Sequence, residues 1–453
     1  MVTADFISLG VNLAILLISI GISLLIFKLI KIEDKGYKLL FVFYTLFWIP
    51  NMLCRGYTGL MHTGMGASAS MLWLPMMVYG LIGIFSRPLN DIFAFFFKSR
   101  KNVINLAILL EVISFIPIII YPSVATNVIQ SIGVGLGASC IGMYELLFNE
   151  QYGKKRFFVT ISVLSIPPLI ADFITGPLQS LVTTFGKDAM TLRYLWVMGL
   201  ILLIVAFVVG IFVKEKPNLM YQDNEHKEKI KGKNDWIMFA LICLIGCLLS
   251  FIKFSNSGSI AQMQLQYLGD MKNVNTGYFQ GYLSTAFSLA QLLAGLLTGL
   301  YLVKKIGKFW TFTIGSGIWI AYEISVTFIL DPYAFLAVHA LNGLAYGILY
   351  NLVLGTVLQK CIKSTNKITP MGIYQGVLSS GIMASTWFTS WMKADVFDVN
   401  GPNYNLSTDE FVKVNAIVNG VVIGCIVAMW GLFWFKTYYE KRLINQHNKK
   451  MSI

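Results

Sequence analysis

Six ionisable side chains stand inside long apolar runs of this chain, Arg55, Glu111, Asp172, Lys253, Glu323 and His339, with Glu145 nearer the end of such a run. A charge in apolar surroundings is costly, so each is a candidate for function. Arg55 is one of only six arginines against 29 lysines, and a planar guanidinium matches carboxylate or phosphate through two parallel hydrogen bonds. Buried carboxyls can carry protons, which makes Glu111, Asp172 and Glu323 candidates for proton coupling. For Glu111 and Glu323 the competing reading is a hydrogen bond between helices. Asp172 lies near Pro167, Pro168 and Pro177, on a helix expected to kink. His339, Asn351 and Tyr346 are candidates to bind a solute beside the two cations, with Gln130, Tyr144 and Tyr350 as further polar groups, and packing is the competing reading for each. Other chemistries lack the residues to carry them. There is no HExxH, P-loop or Ser/His/Asp pattern, and the six cysteines show no CxxC spacing. Neither an enzyme nor a cofactor or metal site is expected.

The runs that hold these residues define the class of protein. Of 453 residues, 56% are hydrophobic and 13% charged, against about 25% charged in soluble proteins. About 20 apolar residues cross a bilayer. Runs of that kind are expected at 6–27, 39–61, 68–89, 103–121, 124–148, 157–185, 192–213, 236–267, 277–303, 309–330, 333–359, 371–392 and 411–435. An all-α polytopic membrane protein follows, and a soluble enzyme, a nucleic-acid binder and a secreted disulfide scaffold are excluded. The net charge of +13 comes from lysines and arginines gathered at the ends of the spans. The first run has Asp5 before it and Lys28, Lys31, Lys35 and Lys38 after it, which is the reverse of a signal peptide, so it is expected to be retained. With the N-terminus outside, cytoplasmic loops and the C-terminus hold 28 of the 35 basic residues, leaving Lys187, Arg193, Lys272, Lys393 and Lys413 outside. A plasma-membrane location with a cytoplasmic C-terminus is expected.

The stretch 214–235 is the longest hydrophilic one and divides the spans seven and six. An internal repeat agrees with that division. Arg87-Pro-Leu-Asn-Asp91, followed by Lys98-Ser-Arg100-Lys101, falls 208 residues before Gly295-Leu-Leu-Thr-Gly299, followed by Gly307-Lys308. The same offset lays Gly135-Leu136 on Gly343-Leu344, and these glycines, with Gly133, Gly137 and Gly347, suit close helix packing. The expected organisation is an extra N-terminal helix with its connector (1–36), a six-helix bundle (37–213), a linker (214–235), a second six-helix bundle (236–436) and a tail (437–453).

With these features, residues 37–440 resemble the major facilitator superfamily, whose two six-helix halves alternate access to a central site. The loop signature of that family, Gly-x-Leu-x-Asp then Gly-Arg-Lys, is similar to Arg87–Asp91 with Lys98–Lys101, and less closely to Gly295–Gly299 with Gly307-Lys308. Arg87 replaces the family's glycine, Gly299 replaces its second acid, and Ile129 stands where the family's fourth helix carries an arginine. The resemblance implies that Arg55, on family helix 1, and Lys253, on family helix 7, face each other across a central cavity. They lie 16 and 17 residues into their spans, roughly 25 Å at 1.5 Å per residue. A cation pair on these helices is also similar to organophosphate/phosphate antiporters. The loop signature implies a cytoplasmic gate of Asp91, Arg100, Glu145 and Arg156. The expected function is a monomeric secondary active transporter for a small anionic solute, phosphorylated or carboxylate, working by exchange or proton coupling. The partners implied are that solute, the lipid bilayer and a coupling proton or counter-anion. A carrier or exporter of a neutral or cationic solute, such as an amino acid, sugar or drug, is the alternative, and it leaves the cation pair unexplained.

Overall fold

The computed structural model describes residues 3–29, 35–66, 73–152, 166–215, 233–361, 368–397 and 408–451, and every regular element among them is a helix. In the N-terminal bundle these are α1 (Thr3–Leu29), α2 (Lys35–Arg55), α3 (Thr58–Gly64), α4 (Trp73–Phe97), α5 (Arg100–Ile120), α6 (Val124–Ser139), α7 (Ile141–Tyr152), α8 (Ile166–Phe185) and α9 (Ala189–Phe212). The C-terminal bundle holds α10 (Lys233–Ser255), α11 (Ser259–Met271), α12 (Tyr282–Leu297), α13 (Val303–Phe328), α14 (Pro332–Cys361), α15 (Pro370–Phe397) and α16 (Thr408–Met451). Ser99 caps α5 by accepting from the Asn102 N–H, Ser123 and Thr126 form a capping box on α6, and Asp188 caps α9.

Nine spans among the described residues are long and apolar enough to cross a bilayer. Helices α8, α12, α13 and α15 fall outside that test, and two of them show why. Gln179, Ser180 and Thr183 of α8 and Gln375, Ser379 and Thr389 of α15 are all buried against protein rather than presented to lipid. Outward faces are apolar, as Ile113, Ile204, Ile324 and Val427 illustrate.

Two expected spans are broken. The run 39–61 becomes α2 and α3, and the run 236–267 becomes α10 and α11. Gly258 holds φ at 64°, a conformation that a side chain would oppose, and so turns the chain between α10 and α11. The breaks follow directly on the two cations: Arg55 ends α2 and Lys253 stands in the last turn of α10. A cation at a helix C-terminus meets the negative end of the helix dipole and its unsatisfied carbonyls.

The bundles meet along two lines, α4 beside α15 and α8 beside α12. The second needs glycine, because a Cβ on Gly281 would collide with the Gly176 carbonyl. Helix α1 lies against α8. The end of the bundle that carries Lys98, Lys101, Lys305 and Lys308 is called the basic end below, and its counterpart the far end.

Candidate functional site

Two cavities of about 90 Å³ each lie between the bundles, one toward each end. A cluster of Met52, Arg55, Tyr79, Asp172, Lys253 and Phe254 lines both and forms the septum between them. The two cations predicted to face each other are therefore brought together, with Asp172 beside them.

Their surroundings differ. Arg55 donates through Nη1 to the Tyr79 hydroxyl at 3.1 Å and through Nη2 to the Met52 sulfur at 3.3 Å. Its guanidinium lies 5.6 Å from the Tyr79 ring centre and 5.5 Å from that of Phe254. Lys253 has no carboxylate within salt-bridge reach and no hydrogen-bond acceptor for Nζ among the described residues. Aromatic faces surround it instead: Tyr346 at 4.2 Å, Phe287 at 5.2 Å and Phe254 at 5.4 Å. Phe254 thus presents its ring to both cations. Asp172, from α8, accepts a hydrogen bond of 2.5 Å from Ser288 on α12, which ties the two bundles together at mid-depth. Two cations against one carboxylate leave the septum with a formal charge of +1. A cation packed on ring faces at the edge of a cavity, sharing a single carboxylate, Asp172, with Arg55 and bonded to neither, is poised for an anion.

The cavity toward the far end has an apolar wall that includes Met76, Leu283 and Phe287 and carries the hydroxyls and amide of Thr58, Ser257, Ser284 and Gln262, with His339 also in the wall. His339 Nδ1 lies 3.1 Å from the Tyr322 hydroxyl. The cavity toward the basic end is aromatic and charged, with Tyr44, Trp48, Tyr346, Tyr350, Arg87 and Glu145 in its wall.

Both cavities are shut by bonds from one bundle to the other. At the far end the two helix breaks meet: Ser259 Oγ accepts from the Gly59 N–H and donates to the Gly56 carbonyl, each at 3.0 Å. Thr183 Oγ1 donates to the Gly277 carbonyl at 2.7 Å, and Lys187 Nζ donates to Thr276 Oγ1 at 3.0 Å. At the basic end Arg87 Nη1 donates to the Gln375 carbonyl at 2.8 Å and to its Oε1 at 2.7 Å. Asp91 Oδ2 accepts from the Thr369 N–H at 2.8 Å and its hydroxyl at 2.7 Å, placing a carboxylate at the N-terminus of α15. Glu145 accepts from Tyr350 OH at 3.3 Å and Gln375 Nε2 at 3.4 Å. Among the described residues the two bundles are therefore bridged at both ends.

Of the residues expected at the basic-end gate, Arg100 Nη1 stands 3.7 Å from Asp91 Oδ1, whereas Glu145 joins Tyr350 and Gln375 rather than Asp91. Arg156 lies outside the described residues. Asn351, expected beside the solute, lines neither cavity; its Nδ2 donates to the Gly347 carbonyl at 2.7 Å, which lays the side chain along its own helix and against Gly295. Glu111 and Glu323 also lie away from both cavities. Glu111 receives Asn51 Nδ2 at 3.5 Å inside the N-terminal bundle. Glu323 receives Asn256 Nδ2 at 2.5 Å, and Asn256 Oδ1 in turn accepts from Lys393 Nζ at 2.6 Å. Lys393, expected in an outer loop, is buried, because α15 runs on to Phe397. Tyr79, Phe254, Phe287, Ser288 and Gln375 escaped the sequence reading, since aromatic, serine and glutamine residues occur along the chain without a distinguishing spacing. Only the adjacency of Phe254 to Lys253 signalled anything.

No family model matches this sequence, and no curated protein matches it. Solved structures do. The chain is similar to crystal structures of the nucleoside transporter NupG and of a point mutant of it, each with a TM-score of 0.62 at 13% identity. The match covers 88% of this chain and 99% and 100% of those chains, so the fold is shared over their whole length. The chain is an all-α polytopic membrane protein with the fold of the major facilitator type that the loop motifs and two-bundle organisation predict.

Proposed function

We propose that the chain is a secondary transporter that moves a small organic anion across the plasma membrane by alternating access to the Arg55–Lys253 septum. The observation that carries this reading is the Lys253 ammonium, held among aromatic faces at a cavity edge beside Asp172 but with no carboxylate within salt-bridge distance among the described residues. A bound carboxylate or phosphate bridging Lys253 and Arg55 would relieve both cations, and the planar guanidinium favours a bidentate contact. Binding between the bundles would draw them together, so the solute stabilises the closed state more than either open one. The small cavities favour a small solute, or one that enters as the septum side chains move apart. His339 and Tyr346 contribute to its walls, and Asp172 is the candidate for proton coupling because, unlike Glu111 and Glu323, it lines both cavities.

The basic end is assigned to the cytoplasm from the charge distribution. The Arg87, Asp91, Arg100 and Glu145 contacts then form the cytoplasmic gate, and the Ser259 contacts the outer one. A single cysteine at Thr3 should react with an impermeant reagent added outside intact cells, and one at Asn448 should not. The reverse pattern would overturn the orientation.

A second reading is supported by the likeness to a nucleoside transporter and by the aromatic wall of Tyr44, Trp48 and Tyr346. There the solute is a neutral planar molecule stacked on the rings. Counterflow uptake in proteoliposomes, with a panel of carboxylates, phosphate esters and nucleosides, separates the two. Exchange of carboxylates or phosphate esters supports the first reading, and exchange restricted to neutral nucleosides replaces it with the second.

A further inference from the structure

Helix α1 runs from the far end to the basic end as a helix exposed along most of its length, with only 11% of its span buried. Phe6, Leu13, Leu17, Leu24 and Leu25 all point away from the protein. Against that background Asn12 stands out, since only 1% of it is exposed. Its Nδ2 donates to the Tyr278 carbonyl at 3.3 Å and to Ser8 Oγ at 3.3 Å, and the Tyr282 hydroxyl donates to Asn12 Oδ1. Ser8 Oγ lies 3.4 Å from Thr184 Oγ1, near the end of α8. Helix α1 therefore rests on α8 of the N-terminal bundle while its one fully buried amide is bonded to Tyr278 and Tyr282 of the C-terminal bundle.

We infer that α1 is a strap across the outer ends of the two bundles, which holds the carrier closed to the outside and lowers the population of its outward-open state. The inference rests on the alternating-access reading above. Opening outward must part the far-end contacts at Thr183–Gly277, Ser180–Gly281 and Lys187–Thr276. Because α1 stays with α8, the same motion pulls Asn12 away from Tyr278 and Tyr282. In a bilayer no water stands ready to replace those partners, so the amide loses bonds that the closed state supplies. A twelve-helix transport core has no need of this helix for its cavity, which makes a role in the balance of states the one its polar contacts fit. The same placement lets α1 cover the outer part of the α8–α12 line from lipid.

The test uses the full chain in nanodiscs, with spin labels at Phe185, at the end of α8, and Met271, at the end of α11. Distances between them report the separation of the outer ends. Asn12→Leu removes the amide from a helix whose insertion depends on its apolar length, and Tyr282→Phe removes one partner from the opposite side. Asn12→Leu should raise the ratio of long to short distances about fivefold, the effect of losing roughly 1 kcal/mol from the closed state. Tyr282→Phe should give a smaller rise in the same direction. Unchanged distance distributions in both variants, in a protein that does populate both distances, would overturn the strap. So would a shift toward the short distance. If the wild type and both variants stay at one distance under every solute and pH condition, the alternating-access reading fails and the strap with it.

Discussion

The two bundles place similar groups at similar depths and then treat them differently. Each carries a cation in the last turn of a helix just before the span breaks, and each buries a glutamate bonded to an asparagine. In the N-terminal bundle Arg55 is tied down by Tyr79 and Met52, and Glu111 has no cation partner among the described residues. In the C-terminal bundle Lys253 rests on ring faces with no hydrogen bond to its ammonium among the described residues, while Glu323 is linked through Asn256 to the ammonium of Lys393. A cation fixed by directional bonds acts as a preformed dock. One resting on three aromatic faces keeps its side-chain freedom and can follow a ligand. The buried charges sort the same way: the network in the C-terminal bundle anchors its far end, and the glutamate in the other bundle rests on a neutral amide.

Stability should reveal the largest difference. Lys393→Met removes the ammonium from Asn256, Asn419 and Glu323 and should cost about 3 kcal/mol, as breaking buried charge networks does. Adding Glu323→Leu should recover much of that loss. Glu111→Gln, which keeps an acceptor for Asn51 and strands no cation, should change stability by less than about 1 kcal/mol. Thermal unfolding in detergent measures all three, and equal costs for Lys393→Met and Glu111→Gln would erase the contrast.

Binding should show the next. Arg55→Ala and Lys253→Ala should each weaken anion binding by at least about 1.4 kcal/mol, a tenfold loss. The conservative exchanges sharpen the comparison. Arg55→Lys loses the planar fork and both directional bonds, and should come close to the alanine variant; Lys253→Arg keeps a charge among the rings and should bind within about threefold of wild type. Similar losses from both exchanges would mean that the two cations are not differently held.

How much of this could be read in the sequence depends on the range of the signal. Apolar runs and loop charges marked the membrane spans, because the bilayer imposes those patterns residue by residue. Matching depths on related spans paired Arg55 with Lys253 for the same reason. The helix breaks were missed for different reasons: Gly56 is one of 39 glycines with no turn-forming neighbours, whereas Ser255-Asn256-Ser257-Gly258-Ser259 is a turn-forming cluster masked by the apolar runs on either side of it. Nor could sequence place side chains around a helix: Asn351 shares α14 with Tyr346, yet bonds to its own backbone, and Lys393 read as a loop lysine because its acidic partner is 70 residues away. The pairings that shut the cavities, Arg87 with Gln375 and Asp91 with Thr369, join residues nearly 300 positions apart.

The gates should give the smallest effects. Asp91→Asn weakens a charge-assisted contact with the start of α15, and Ser259→Ala removes both bonds between the helix breaks. Each should move the balance of open and closed states by about 1 kcal/mol with little change in folding, and in opposite directions: the first toward cytoplasmic opening, the second toward outward opening. Accessibility of cysteines placed in the two cavities reads the direction, and a shift of the same sign in both variants would refute the assignment of the ends.

The central claim is that Arg55 and Lys253 together bind an anionic group, and ligand-induced thermal stabilisation tests it most directly. Purified wild type and the Arg55→Ala, Lys253→Ala double variant are each heated with a panel of carboxylates and phosphate esters and with their neutral amide or alcohol counterparts. At least one anion should stabilise the wild type while its neutral counterpart does not, and the folded double variant should show no such difference. Stabilisation of the double variant by the same anion at the same concentration would contradict the account, as would equal stabilisation of the wild type by anion and neutral counterpart.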